Sequence, residues 1–153
     1  MLRMSKLTDY GTVVLAELAS GRAGYVSAAE LAEATGLGLP TVSKLLKTLA
    51  KAGLVISTRG SHGGYRLARD ANHISAAEVI DAFEGPVSIT ECSASESHCG
   101  LEAMCSVGHA WQRINVAIRR ALDEISLADL LRANTPTPRF LFAGTPINVE
   151  RKS

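Results

Sequence analysis

Apolar side chains recur at spacings of three and four residues near the start of the chain, which is the pattern of a helix with one buried face. The glycines that follow at positions 21 and 24 end the pattern. The sequence therefore predicts an amphipathic helix whose buried face is formed by Leu7, Tyr10, Val14 and Leu18.

Two copies of Ser-Ala-Ala-Glu predict the starts of two further helices. In such a capping box the serine hydroxyl accepts from a first-turn amide, while the glutamate reaches back to the serine amide. The first copy begins at Ser27 and predicts a short helix to about Thr35. The second begins at Ser75 and predicts a helix to about Phe83, which Gly85-Pro86 ends.

A third amphipathic segment runs from Pro40 to Ala52. Proline is favourable in the first helical position because its missing N–H is no loss there, and Gly53 is a natural C-terminal stop. The predicted buried stripe consists of Val42, Leu45, Leu46 and Leu49. The predicted solvent face carries Thr41, Ser43, Lys44, Lys47, Thr48 and Lys51.

The pattern then changes to β-branched residues. Leu54–Thr58 and Tyr65–Ala68 can pair across the glycine-rich turn at 59–64, which predicts a hairpin. Helices followed by a two-stranded ribbon, in this order, are typical of a winged helix-turn-helix. We therefore expect a mainly α fold with a two-stranded β wing, in which residues 1–85 form a DNA-binding domain.

The second half of the chain has a different pattern. Residues 86–109 lack a sustained hydrophobic period and predict a cysteine-bearing loop. Residues 110–134 predict a long helix followed by a short one. Residues 135–153 predict an extended tail, which Phe140-Leu-Phe142 could anchor to a partner surface. The long helix has a stripe that favours homodimerisation over packing on its own domain: Trp111, Ile114, Ile118, Ala121 and Ile125.

Composition and charge narrow the class of protein. The chain has 153 residues and a net charge of +1, with no run of about 18 apolar residues and no leader-like start, so we expect a cytoplasmic protein without a membrane segment. The charge is unevenly distributed. Residues 40–70 carry six basic residues against one acid, a net charge of +5, whereas residues 86–109 carry three glutamates and no Lys or Arg.

The basic segment predicts a surface that binds double-stranded DNA. A helix with short polar side chains at its start and lysines along one face fits the major groove. We expect Thr41, Ser43 and Lys44 to lie near base edges and Lys47 and Lys51 near phosphates, with Arg59 and His62 at the wing tip. The alternative is that the lysines form an ordinary solvated helix face.

All three cysteines lie close together, at Cys92, Cys99 and Cys105. A disulfide leaves one thiol unpaired and requires an oxidising compartment, and structural zinc prefers shorter steps between paired thiolates. An iron-sulfur cluster is larger and is held by thiolates, so the wide spacing favours it. The fourth ligand stays open between His109, which follows the last cysteine closely, and Asp9, which would come from another helix or from a partner subunit.

Several motifs resemble those of the winged-helix iron-sulfur regulators typified by the Isc regulator and the nitric-oxide-sensitive repressor, and most closely those of Suf-system assembly regulators. The resemblance covers residues 1 to about 134. The segments that carry it, besides the three cysteines, are Lys6-Leu-Thr-Asp-Tyr-Gly11, Pro40-Thr-Val-Ser-Lys-Leu-Leu46, Gly53-Leu-Val55, Arg59-Gly60, Gly63-Gly-Tyr65 and Ser126-Leu-Ala-Asp-Leu130.

This resemblance implies a dimeric repressor or dual regulator that controls genes of iron-sulfur cluster assembly. Cys92, Cys99 and Cys105 would hold the cluster that senses iron-sulfur status or redox and nitrosative stress. Isc-type members complete a 2Fe-2S site with a histidine three residues after the last cysteine, where this chain has Gly108. Nitric-oxide sensors complete a 4Fe-4S site with an aspartate that Asp9 matches. The rival interpretations are a cluster-free thiol-based or zinc-stabilised repressor and a ferredoxin-like electron carrier. No motif indicates an enzyme or a small-molecule substrate.

Overall fold

The computed structural model describes residues 3–21, 24–90, 100 and 105–132, together with the backbone of 140–142 and 145–147. The predicted order of helices and strands is confirmed, and their ends fall within a residue or two of the predicted positions. The described elements are α1 (Lys6–Ala19), α2 (Ala28–Thr35), α3 (Leu39–Lys51), β1 (Val55–Thr58), β2 (Gly64–Leu67), α4 (Ala76–Glu84), α5 (Gly108–Asp123), α6 (Leu127–Leu131), β3 (Phe140–Phe142) and β4 (Thr145–Ile147).

Serine side chains fix the starts of most of these helices. The capping boxes at Ser27 and Ser75 are both formed, with each serine hydroxyl accepting from the amide three residues later. Ser126 and Asp129 form a third box at the start of α6. The start of α3 differs, because its N-cap is Gly38 and no side chain caps the first turn. Its first-turn amides are therefore left for another partner.

The hydrophobic core lies between α1, α2 and α3 and extends to α4 and α6. Its largest fully buried apolar side chains are Val14, Leu15, Leu31, Val42, Leu45, Leu46, Leu49, Leu54, Val55, Ile74 and Leu127. All four residues of the stripe predicted for α3 belong to it. This burial holds α3 by one face and leaves the opposite face at the surface.

The wing is an antiparallel pair in which Val55 lies opposite Leu67 and Thr58 opposite Gly64. The connection between α1 and α2 forms an isolated β-bridge to the wing, because Val26 exchanges two backbone hydrogen bonds with Tyr65 at 2.9 and 2.8 Å. The bridge lies on the side of β2 opposite β1. A Cβ atom at Gly64 would lie 2.5 Å from the carbonyl oxygen of Val26, so this close pairing requires glycine.

Helices α1 and α4 pack closely, since a Cβ atom at Gly11 would lie 2.3 Å from the ring of Phe83. The end of α4 also contacts the start of α1. Glu84 accepts hydrogen bonds from the amide of Ser5, at 2.8 Å, and from the hydroxyl of the fully buried Thr8. This junction immediately precedes the segment that carries the cysteines.

Helix α6 returns the chain to the winged domain. Leu127 is fully buried in the core, and two backbone hydrogen bonds join the starts of α4 and α6, from Ala76 to Ile125 and from Leu127 to Ile74. The sequence-based division groups α6 with the long helix. In the structure, the burial of Leu127 and these two hydrogen bonds hold α6, which follows α5, against the core of the winged domain.

The tail contains two short strands that pair antiparallel, with Phe140 opposite Ile147. The sequence predicts an extended tail but does not predict this pairing, in which Pro146 lies opposite Leu141. A two-stranded ribbon tolerates proline, since every strand in it is an edge. The predicted anchoring role of the Phe140–Phe142 side chains lies outside the described residues. Among the described residues, no helix has the length and apolar character needed to cross a membrane.

Candidate nucleic-acid interface and cysteine segment

The solvent face of α3 has the predicted composition. Lys44, Lys47 and Lys51 are exposed, and Thr41 and Ser43 are half-buried near the start of the helix. Neither of these two hydroxyls has a hydrogen-bonding partner in the described part of the chain. These hydroxyls lie beside helix amides that no side chain caps, and the lysines follow on the same helix face. The hydroxyls can contact a base edge while the amides and lysines contact the flanking phosphates.

Thr48 differs from its neighbours on this face. Its hydroxyl donates to the carbonyl of Lys44 at 3.2 Å, so it is engaged with its own helix. The polar character of the face alone does not reveal this difference, because the engagement depends on the side-chain rotamer.

The wing tip presents a second set of polar groups. Arg59 and His62 are both exposed in the turn between β1 and β2, as predicted. The sequence suggests that the tip glycines let the backbone approach DNA, but Gly63 has an internal reason to be glycine. A Cβ atom there would lie 2.4 Å from the carbonyl oxygen of Thr58.

One cation of the wing was not selected by sequence reasoning. The guanidinium carbon of Arg66 lies 5.2 Å from the centroid of the Tyr25 ring. Forty-one residues of sequence separate the two, so no local pattern reveals the pair. The contact exists because the α1–α2 connection pairs with β2.

Of the three cysteines, Cys105 is within the described residues, whereas Cys92 and Cys99 lie outside them. Cys105 is a half-buried free thiol three residues before the first residue of α5. A Cβ atom at Gly108 would lie 3.6 Å from its sulfur, at ordinary contact distance. A side chain at position 108 would therefore begin beside the thiol, and glycine leaves that space open.

The structure does not choose between the two candidates for a fourth ligand. His109 is exposed in the first turn of α5, and Asp9 is exposed in the first turn of α1. In the described residues, no group of three or more potential metal-ligating side chains comes together. The donor chemistry at Cys105 fits a thiolate-held cluster: it is a free thiol, partly shielded, with room next to its sulfur.

The middle of α5 makes polar contacts with α4 and with the segment that follows α4. Arg119 forms an ion pair with Asp81 of α4 at 2.8 Å, and the side chain of Asn115 accepts from the amide of Ile89 at 3.3 Å. Since α5 begins next to Cys105, these contacts connect the cysteine segment to α4.

The apolar stripe predicted for dimerisation is only partly available. Ile114, Ile118, Ala121 and Ile125 are half-buried within the single chain, and Trp111 is 41% exposed. The single chain therefore already covers part of this stripe. Val116 of α5 is 47% exposed, and Arg113 and Arg120 lie beside it on the helix surface.

These features define a winged-helix DNA-binding protein with a cysteine-bearing segment ahead of a long helix. Residues 4–133 match the Rrf2 family, which is described as an iron-dependent transcriptional regulator. The chain belongs to this family. Its relatives are transcriptional regulators rather than enzymes.

Two curated relatives illustrate the likeness. Protein rrf2 of Nitratidesulfovibrio vulgaris is 32% identical over 139 residues, which cover 90% of this chain and 93% of that protein. The HTH-type transcriptional regulator IscR of Photobacterium profundum is 33% identical over 134 residues, which cover 87% of this chain and 77% of that protein.

Solved structures agree with the fold. CymR, described as the global cysteine regulator of B. subtilis, matches with a TM-score of 0.67 and 30% identity, covering 88% of this chain and 99% of that one. IscR of T. potens matches with a TM-score of 0.63 and 31% identity, covering 90% of this chain and 94% of that one. The family's members thus include both an Isc-type regulator and a cysteine regulator.

Proposed function

We propose that this protein is a cytoplasmic transcription repressor that binds operator DNA as a homodimer and senses iron-sulfur cluster status or redox and nitrosative stress through Cys92, Cys99 and Cys105. Its targets would be genes of iron-sulfur cluster assembly. The observation that carries the proposal is the free Cys105 thiol at the head of α5, in a chain whose α3 and wing carry the basic surface.

The DNA-binding part rests on α3 and the wing. The hydroxyls of Thr41 and Ser43 have no partner among the described residues and are available for base edges. The exposed amines of Lys44, Lys47 and Lys51 lie on the same helix face. Arg59 and His62 extend the surface at the wing tip. The proposed roles are base contact for the residues at the start of α3, including Lys44, and phosphate contact for Lys47 and Lys51.

The sensing part rests on the connection of Cys105 to the winged domain. A cluster, when bound, supplies an inorganic centre whose presence and redox state follow the supply of iron and sulfide and the exposure to oxidants. The three thiolates would hold it, with His109 or Asp9 as the fourth ligand. A change in how Cys105 is held reaches α4 through α5 and the Arg119–Asp81 ion pair, and this contact supports a coupling between ligation and operator affinity.

The test begins with anaerobic purification and assays of iron and acid-labile sulfide. We expect the wild-type chain to contain iron and acid-labile sulfide and the Cys99→Ser variant to lack them. Of His109→Ala and Asp9→Ala, the variant that removes the fourth ligand should also lose iron and sulfide. An operator is then selected from random-sequence duplexes. The affinity of the cluster-loaded wild-type chain for this operator is compared with that of Cys99→Ser. Equal affinity in every redox state would contradict the sensor, while the DNA-binding role would stand.

A second candidate is a cluster-free thiol-based repressor, and the likeness to the B. subtilis cysteine regulator favours it. In that case the anaerobic chain lacks iron and sulfide even after reconstitution. Operator affinity would then change on treatment with a thiol oxidant, and a Cys105→Ser variant would lose that response. The matches to transcription regulators give no support to a ferredoxin-like carrier.

A further inference from the structure

The outer face of the wing carries a row of side chains that crosses both strands and the β-bridge at Val26. Because Val26 pairs with Tyr65 and Ile56 pairs with Arg66, the row consists of Tyr25, Arg66 and Ile56. Val26 follows Tyr25, Val55 precedes Ile56, and both valines are buried. Arg66 and Ile56 are exposed, as expected for alternating sides of a strand. The row therefore lies on the face directed away from the core.

Arg66 is held in place without a counter-ion. Its guanidinium lies over the Tyr25 ring, and no carboxylate pairs with it in the described part of the chain. Arg69, three residues further on, is different. Its guanidinium donates to Glu78 at 2.7 Å and to the carbonyl of His73 at 3.1 Å, so its charge is already compensated.

The surroundings of Arg66 favour an anionic partner. From Pro40 to Arg69 the sequence contains no acidic residue, and the exposed cations of α3 and the wing tip belong to this stretch. Uncompensated positive charges on one small domain repel one another, and a polyanion relieves that repulsion. A guanidinium also offers a planar fork that matches two phosphate oxygens.

We propose that Arg66 contacts a DNA phosphate from the wing strand and that Tyr25 is its positioning residue. The ring restricts the rotamers of the long arginine side chain, so less conformational entropy is lost when the phosphate binds. This inference rests on the proposed DNA-binding function and extends the contact surface beyond the tip of the wing.

The experiment uses the full chain and a fluorescein-labelled duplex of mixed sequence, because a phosphate contact is independent of sequence. Affinity is measured by fluorescence anisotropy between about 50 and 200 mM KCl. For Arg66→Gln we expect the slope of log affinity against log salt to fall by about 1, with binding about tenfold weaker at the lowest salt. Arg66→Lys should keep the slope.

Tyr25 variants separate positioning from charge. Tyr25→Leu keeps the arginine but removes the ring, so we expect binding about two- to fivefold weaker with the salt slope unchanged. Tyr25→Phe should restore wild-type affinity. Arg69→Gln is the matched control, since it removes the same charge from a guanidinium that is already committed to Glu78. Its slope should match that of the wild type.

The outcomes distinguish this inference from the function on which it rests. If the wild-type chain shows no salt-dependent binding to the duplex, the DNA-binding proposal fails. If the wild type binds and Lys47→Ala lowers the slope but Arg66→Gln does not, the assignment of Arg66 is wrong and the regulator stands. A lower thermal midpoint of Arg66→Gln with an unchanged slope would likewise overturn it, because Arg66 would then act only within the protein.

Discussion

At the scale of single residues, the best-defined long-range contact is the one between Glu84 and the start of α1. The carboxylate accepts from the Ser5 amide and from the buried Thr8 hydroxyl. Seventy-six residues separate Thr8 from Glu84. Since Gly85 and Pro86 follow immediately, this contact fixes the point from which the cysteine segment leaves the winged domain.

This contact predicts a specific dependence of stability on pH. Hydrogen bonds from Ser5 and Thr8 hold the pKa of the Glu84 carboxyl below its ordinary value of 4.5. A lowered pKa in the folded state means that the ionised form stabilises the fold above the unfolded-state pKa. That contribution is lost as the pH falls through the lower folded-state pKa.

Glu84→Gln, which keeps one acceptor oxygen but removes the charge, should therefore destabilise the protein at neutral pH. The difference from the wild type in free energy of unfolding should shrink below about pH 4.5 and vanish in stronger acid. Urea unfolding across this pH range is the measurement. The control is Glu33→Gln. Glu33 is an exposed carboxylate on α2 that has no hydrogen-bonding partner among the described residues. A difference that stayed constant down to acid pH would rule out the charge as its cause.

At the scale of elements, the wing depends on one close backbone approach. Gly64 has a φ of +151°, and its missing side chain allows β2 to form the backbone bridge with Val26. That pairing also brings Tyr25 beneath Arg66. The wing is therefore positioned by the α1–α2 connection as well as by its own hairpin.

Gly64→Ala should lower the free energy of unfolding by about 1–3 kcal/mol, since the new Cβ would meet the Val26 carbonyl. Gly60→Ala is the comparison. Gly60 also has a positive φ, of +117°, but no atom lies within 4 Å of its Cβ position, so only backbone strain on the order of 1 kcal/mol is expected. Chemical denaturation of both variants measures the two costs. Equal costs would show that the contact with Val26 contributes nothing.

The elements that could be predicted from the sequence are those with local causes. The apolar stripe of α3 and the capping boxes at Ser27 and Ser75 each lie within one helix, and each is formed as predicted. The β-bridge at Val26 and the burial of Leu127 depend on contacts between distant segments. No periodicity or cap encodes them, so neither contact could be predicted from the sequence pattern.

The candidate site divides in the same way. Lys44, Lys47 and Lys51 could be predicted because charge segregation along a helix is visible in the sequence, whereas Arg66 could not, since its significance depends on the ring of Tyr25. The spacing of the cysteines favours an iron-sulfur centre but leaves its fourth ligand open between the nearby His109 and the distant Asp9.

At the scale of the whole molecule, α5 is the one α-helix among the described residues that has no fully buried side chain. It spans 16 residues. The side that includes Asn115 and Arg119 contacts the chain itself, while Trp111 and Val116 remain 41% and 47% exposed. Rrf2-type regulators are typically dimeric, and paired half-sites on DNA lie about 34 Å apart along a two-fold arrangement. An exposed helix that joins the cysteine segment to α6 is suited to lie between two such domains.

Trp111→Asp and Val116→Asp should therefore weaken self-association, because each places a charge on apolar surface that a second copy would bury. Neither change should unfold the domain, since both side chains are already exposed in the single chain. Leu130→Asp on α6 is the matched control: Leu130 is 40% exposed, but it lies on a different helix, so the dimer should persist. Sedimentation equilibrium measures the association, and circular dichroism checks the fold.

If all three variants remained dimeric at the dilution where the wild type begins to dissociate, the interface would not involve the exposed surface of α5. If Leu130→Asp alone became monomeric, α6 would carry the contact, and a change at Cys105 would then have to reach the partner through the winged domain rather than directly along α5.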